Sequence, residues 1–265
     1  MFINSWIGGK VMYGFSVVLF AETASFRDPG GQLYHATFPL PPISTIIGIA
    51  GAALGISFQQ SWELFKINNI KVGVKDVTQS WREISPGRGL DLWKYQKIVT
   101  NGVRSDVLKR EFLFRPVYQL YYGCEEKRLL EQLRKAFLSP AWALCLGTSD
   151  DIARIEEISQ IQIMKEIDGG AVELSYCLIP GDQSDNYSFA WEAIYNTPVR
   201  ISLELPIVKQ LPVEFLFSPN GERKGCEYRP FTFLSGIQRL KDPCQAYKFG
   251  QQVVPLISVI QRQPS

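Results

Sequence analysis

A proline-locked lead that runs straight into a small-residue helix constrains this chain more than any other feature. Phe38-Pro39-Leu40-Pro41-Pro42 must be extended, because each proline pushes the residue before it out of the helical region. Ser44 or Thr45 then offers an N-cap, and Ile46 to Ile56 reads as a helix. Gly48, Ala52 and Gly55 are spaced four and three apart, which puts them on one face. Glycine costs roughly 1 kcal/mol in a helix interior relative to alanine. Such a stripe predicts close packing against a sheet or another backbone. The start of this helix, at Ser44 and Thr45, is either a plain cap or an anion site, since free N–H groups point outward there.

The surrounding pattern sets the order of elements. Val11 to Ala21 reads as a strand rich in Val, Phe and Leu. Asp28-Pro29-Gly30-Gly31 is a turn signal. Ile70 to Val77 reads as a second strand, and Val117 to Tyr122 as another. Between them, Ser80 to Arg115 has glycines at 87, 89 and 102 and no sustained period. It reads as an excursion, with a projecting hairpin of Leu92 to Val99 and Val107 to Phe114. Leu129, Leu130, Leu133, Ala136 and Phe137 mark Glu125 to Leu138 as an amphipathic helix. Trp142 to Leu146 then reads as a strand.

Strand, helix, strand, excursion, strand, helix, strand is the split βαββαβ order of ferredoxin-like and RRM-type domains. The expected fold class is α+β: a ferredoxin-like (RRM-like) N-terminal domain over 1–155, including a basic thumb at about 80–115. Beyond Ile155 the helical signal fades. Short runs at Ala171 to Pro180, Val199 to Leu205, Val213 to Phe217 and Val253 to Ile260 predict a smaller β-rich part over 156–265.

Charge adds a second clue. The whole chain carries a net charge of +2, which predicts no partner. Ser80 to Arg115, however, holds eight bases (Arg82, Arg88, Lys94, Lys97, Arg104, Lys109, Arg110, Arg115) against four acids (Glu83, Asp91, Asp106, Glu111). A basic block on a mildly acidic body suits polyanion binding, and it equally suits a solvated surface loop. Trp81, Trp93, Tyr95, Phe112 and Phe114 are interleaved with the bases. Cations neutralise phosphates while aromatics stack on unpaired bases. Trp93 and Phe112 could instead anchor the hairpin itself.

Other chemistries are poorly supplied. Five scattered cysteines lack CxxC spacing and His35 is the single histidine, so neither a structural zinc nor any cofactor is expected. Isolated cysteines fit a reducing cytoplasm. Asp150-Asp151 and Glu156-Glu157 are adjacent pairs whose side chains diverge, and Asp150 and Asp151 are expected to open a helix turn. No phosphate-binding glycine motif occurs. Val11 to Ala21 faintly imitates a leader, but a core strand is the better reading. Ile43 to Ile56 is too short to cross a bilayer as a helix.

FPLPPISTIIGIAGAALG (Phe38 to Gly55) resembles the N-terminal signature of the CRISPR-associated Cas-five family. AETASFR (Ala21 to Arg27) and SPAWALCLGTSDD (Ser139 to Asp151) are similar to two further family segments, and the three are collinear. The resemblance implies a RAMP-type, non-catalytic subunit of a type I Cascade complex. Such a subunit holds the 5′ handle of the crRNA beside Cas-seven-type backbone subunits and a Cas-eight-type large subunit, and meets target DNA only through the complex, with no membrane partner. It implies a thumb from about Leu90 to Arg115. The RNA contacts it implies are Phe26, Arg27, Ser44, Thr45, Arg88, Lys94, Tyr95, Lys97, Arg104, Lys109, Arg110 and Arg115. The glycine-rich loop usual in RAMP proteins has only a weak counterpart at Gly221 to Gly225, where no site is placed.

One branch of that family cleaves repeat RNA with a Tyr/Lys/His system. Here Tyr34-His35 lacks an adjacent lysine. A repeat-cleaving endoribonuclease is thus the second reading, and a protein scaffold without RNA contacts the third.

Overall fold

The Phe38–Pro42 lead ends at a helix start that needs no side-chain cap. In the computed structural model, which describes residues 11–31, 34–83, 87–100, 102–196 and 205–259, Pro42 is the N-cap (φ −68°, ψ 163°). Its carbonyl accepts the Thr45 and Ile46 N–H groups. Ser44 and Thr45 therefore lie inside the first turn rather than capping it, because proline's fixed φ already suits the position.

The chain opens with β1 (Met12–Ala21), β2 (Thr23–Ala24) and β3 (Tyr34–His35). Then come α1 (Ile43–Leu54), α2 (Phe58–Ile67), β4 (Lys71–Asp76) and α3 (Thr78–Arg82). The hairpin β5 (Gly87–Val99) and β6 (Gly102–Phe114) leads to β7 (Val117–Cys124) and α4 (Lys127–Leu138). Next are β8 (Ala153–Ile158), β9 (Gln162–Glu166), β10 (Ala171–Ser175), β11 (Leu178–Pro180) and β12 (Tyr187–Phe189). A short α5 (Trp191–Tyr195) precedes β13 (Ile207–Phe217), β14 (Arg223–Phe233), β15 (Ile237–Cys244), β16 (Tyr247–Phe249) and β17 (Gln252–Val254). The expected run Val199 to Leu205 falls outside the described residues except Leu205, which is in no strand.

The main sheet runs β17-β16-β9-β1-β7-β4, with β8 also on β1, and its ladders are antiparallel. Central β1 is buried over its last eight residues. Phe15, Val17 and Leu19 face the core beneath α1, α2 and α4, whereas Val18 and Phe20 face the other side with Val77 and Val117. Phe15 stacks on Tyr122 at 5.3 Å and meets Phe137 of α4 edge-on at 6.2 Å. The main core also takes Leu211, Phe215, Phe231 and Phe233 from the β13–β14 hairpin. Strands from both sides of the expected 155/156 boundary thus complete one sheet and one core.

Two local expectations change. Trp142 to Leu146 is not a strand: Trp142 is 67% exposed and only Cys145 makes an isolated bridge, to Ile152. The strands that pair with β1 on this side come further on, as β8 and β9. Asp150 and Asp151 open no helix. The Asp151 carboxylate instead accepts the Thr23 and Thr148 hydroxyls, tying the 148–151 turn to β2.

The small-residue stripe on α1 also behaves differently. The close approach is made by Gly51, where a Cβ would lie 2.9 Å from that of Ser61 on α2. The Ser61 hydroxyl donates to the Ile47 carbonyl at the same crossing. Gly55 ends the helix in the left-handed region (φ 73°), and the Ile56 N–H reaches back to the Gly51 carbonyl. Gly48 has only the Phe58 ring within 4 Å of a would-be Cβ, so the Gly48–Ala52 face floors an open groove. Among the described residues, no single helix is long and apolar enough to cross a membrane.

Candidate nucleic-acid interface

The β5–β6 hairpin pairs in continuous register from Gly87↔Phe114 to Val99↔Gly102. Its outer half is exposed on both faces, so it projects from the body. The turn lies at the Gly102 end, where φ is 139°. At the base, β2 and β3 pair with β6 and fix the hairpin's direction. Glu111 ties it down further by accepting the Thr37 N–H.

Strand alternation divides the hairpin into two chemical faces. One carries Trp93, Tyr95, Lys97, Arg104, Arg110 and Phe112; the other carries Lys94 and Lys109 among Leu90, Leu92, Ile98, Val103 and Val107. On the first face Trp93 and Tyr95 stack at 5.8 Å with 27° between planes. His35 stands 6.5 Å from Trp93, and the Arg110 guanidinium 5.9 Å from it. Phe112 lies across Gly89, where any Cβ would collide with its ring. Phe112 is therefore the hairpin's own anchor, whereas Trp93, 45% exposed, is presented to solvent.

The expected contact residues differ in how free they are. Lys94, Lys97, Arg104 and Lys109 are exposed and make no ion pair among the described residues. Arg110 is already engaged: it grips Asp91 through two hydrogen bonds of 2.8 and 3.3 Å, which raise its pKa. Arg88 lies 3.8 Å from Glu111, and Arg115 lies 3.2 Å from Glu22. Phe26 is the clear correction. It is 3% exposed and packs on Tyr118, so this contact, implied by the family resemblance, is a core residue here. Arg27 beside it is exposed.

Ser44 and Thr45 line an open groove of about 320 Å³ with Gly48, Ala52, Phe58, Gly147 and Arg223. Arg223 was not singled out from the sequence, since it lies far along the chain. It stacks over Phe58 at 4.0 Å, and burial lowers its pKa. Gly221, at φ 79°, lines the adjoining cavity with Gln59. The weak glycine loop thus comes to rest beside the α1 groove.

Tyr34 and His35 are successive residues of β3, paired with Lys109 and Arg110, so their side chains leave opposite faces. Burial, Arg27 and Arg110 lower the His35 pKa, while burial and Glu111 raise that of Tyr34.

A family described as CRISPR-associated protein (Cas_Cas5) matches residues 16–178. A CRISPR protein from Archaeoglobus fulgidus shares the fold at TM-score 0.51 and 12% identity, over 91% of this chain and 98% of that one. A chain of a CRISPR RNA-guided surveillance complex gives 0.48 and 14%, over 88% and 90%. A crystal structure of a Cas protein gives 0.32 and 21%, over 51% of this chain and 57% of that one. No curated protein matches in sequence.

Proposed function

Because the chain belongs to the CRISPR-associated Cas5 family, we propose that it is a non-catalytic, guide-RNA-binding subunit of a type I Cascade complex in the cytoplasm. In this reading the β4-β7-β1-β8/β9 unit is a ferredoxin-like platform and the β5–β6 hairpin is its thumb. The thumb holds the 5′ handle of the crRNA beside Cas-seven-type backbone and Cas-eight-type large subunits, and target DNA is met through the complex. The observation that carries the reading is the projecting hairpin itself. It presents a stacked Trp93–Tyr95 pair together with exposed Lys97 and Arg104 on one face, the combination that single-stranded RNA requires.

Binding of a handle-bearing crRNA to the purified protein tests it. Replacing Lys94, Lys97, Arg104 and Lys109 together by Gln should weaken binding and reduce the salt slope by about 2–3. Unchanged affinity and slope would remove the thumb from the function.

The absence of catalysis is supported by geometry at β3. A Tyr34/His35 acid–base pair would have to act from opposite faces of one strand. Repeat RNA incubated with the protein should stay intact. Cleavage that His35→Ala abolishes would make the protein a processing nuclease instead.

A further inference from the structure

Three guanidiniums crowd one phenylalanine at the foot of the thumb. Around the Phe20 ring, Arg82 lies at 3.8 Å from the centroid, Arg154 at 5.2 Å and Arg115 at 5.7 Å. They come from α3, β8 and the β6–β7 corner, so only the folded chain brings them together. Phe20, next to last in β1, lies on the sheet face turned away from α1 and α4.

Two carboxylates are in contact with this cluster. Glu22 pairs with Arg115 at 3.2 Å and Glu156 with Arg154 at 2.6 Å. Arg82 has no ion pair among the described residues. The Nε groups of Arg82 and Arg115 are buried and donate no hydrogen bond among the described residues; Glu22 lies off the donor direction of Arg115. Buried donors are normally satisfied, and those that are not point to a missing acceptor. Like charges held together also favour an anion in their midst. A guanidinium stacked on a ring can present its in-plane N–H fork to a phosphate. Arg154 already donates Nε and one terminal N–H to Glu156, at 3.0 and 2.6 Å, so its remaining N–H groups and those of Arg82 and Arg115 are the ones a phosphate would take. The Arg115 backbone sits at φ 53°, an uncommon conformation for a non-glycine residue, held by its N–H to the Glu22 carbonyl.

We infer that Arg82, Arg115 and Arg154 over Phe20 form a phosphate site that takes one backbone phosphodiester of the bound RNA strand. This rests on the RNA-binding reading above and adds a contact at the thumb's foot, away from the exposed bases of its outer half.

The test is a double-mutant cycle with full-length protein and synthetic handle-bearing RNAs. Each phosphate in turn is replaced by a neutral methylphosphonate. One position should weaken wild-type binding about tenfold. The Arg82→Gln and Arg154→Gln variants should lose about the same factor on unmodified RNA and be indifferent to that one substitution. Coupling to a single position survives any small loss of stability, because both RNAs meet the same variant. Variants that bind unmodified RNA like wild type, or that remain equally sensitive at every position, overturn the site while leaving the thumb's role intact. Stabilisation by inorganic phosphate that Arg82→Gln removes, without any RNA coupling, would mean an adventitious ion only and likewise overturn it. Failure of wild-type protein to bind any of these RNAs would sink the RNA-binding reading itself.

Discussion

Trp93 lies stacked on Tyr95 with ring centroids 5.8 Å apart, on the same hairpin face as Lys97 and Arg104. Alternate residues of one strand leave the same face, and both rings reach solvent here. The pair therefore forms a broad aromatic surface rather than a buried anchor, a task that Phe112 performs over Gly89.

Substituting Trp93→Ala should cost roughly 1–3 kcal/mol of single-stranded RNA affinity if one base stacks there. Stability should move by no more than about 0.5 kcal/mol, because the side chain is exposed. Fluorescence anisotropy with labelled RNA, alongside urea denaturation, separates the two. A loss of stability with affinity unchanged would return Trp93 to a structural role.

The two α1 glycines should respond in opposite senses. Gly51→Ala places a Cβ 2.9 Å from that of Ser61, and overpacking of this kind costs about 1–3 kcal/mol. Gly48→Ala meets nothing closer than Phe58 at 3.8 Å, and should stabilise by up to about 1 kcal/mol through helix propensity. Chemical denaturation of both variants checks the contrast.

His35, the single histidine, should titrate below its ordinary 6.5 in the free protein, through burial and the nearby Arg27 and Arg110 charges. Because the folded pKa is depressed, the unfolded chain binds the proton more readily. The corresponding stability is full above 6.5 and falls as pH drops from 6.5 through the folded value. RNA bound along this face brings phosphates near the ring and should raise the midpoint. An NMR titration with and without RNA reads both, and an unmoved midpoint would place the strand elsewhere.

Asp28 ties the N-terminal turn to the C-terminal hairpin through Lys209 at 2.6 Å. Burial pushes its carboxyl up, but hydrogen bonds from Lys209 and the Gly30 N–H prevail and hold it below 3.8. Its stabilisation is therefore present above 3.8 and lost as pH falls through the lower folded value. Asp28→Asn should destabilise the protein near neutrality and flatten this part of the acid-side loss, measured by Tm against pH.

Much of the N-terminal half was legible because its periods are local. The runs around β1, β4 and β7, the helically spaced leucines of α4 and the two arms of the β5–β6 hairpin each carry their own pattern. Local patterning starts the helix after the proline lead three residues late, since serine and threonine are common caps whereas Pro42 does the task through its fixed φ. Trp142 to Leu146 read as a strand from apolar content alone, but β1 finds its partners in β8 and β9. Phe26 is expected at the RNA from the family resemblance alone, and burial of a single aromatic leaves no periodic trace that could correct it.

By itself, the sequence determined the runs around β1, β4 and β7, helix α4, the basic aromatic hairpin and the extended lead into α1, all properties that neighbouring residues set through backbone sterics and hydrophobic period. Only the tertiary structure decided which bases remain unpaired, how Arg223 comes to lie beside Ser44 and Thr45, and that Arg82, Arg115 and Arg154 converge on Phe20. Those relations join residues tens to nearly two hundred positions apart, and they are fixed by sheet pairing and packing rather than by any pattern along the chain.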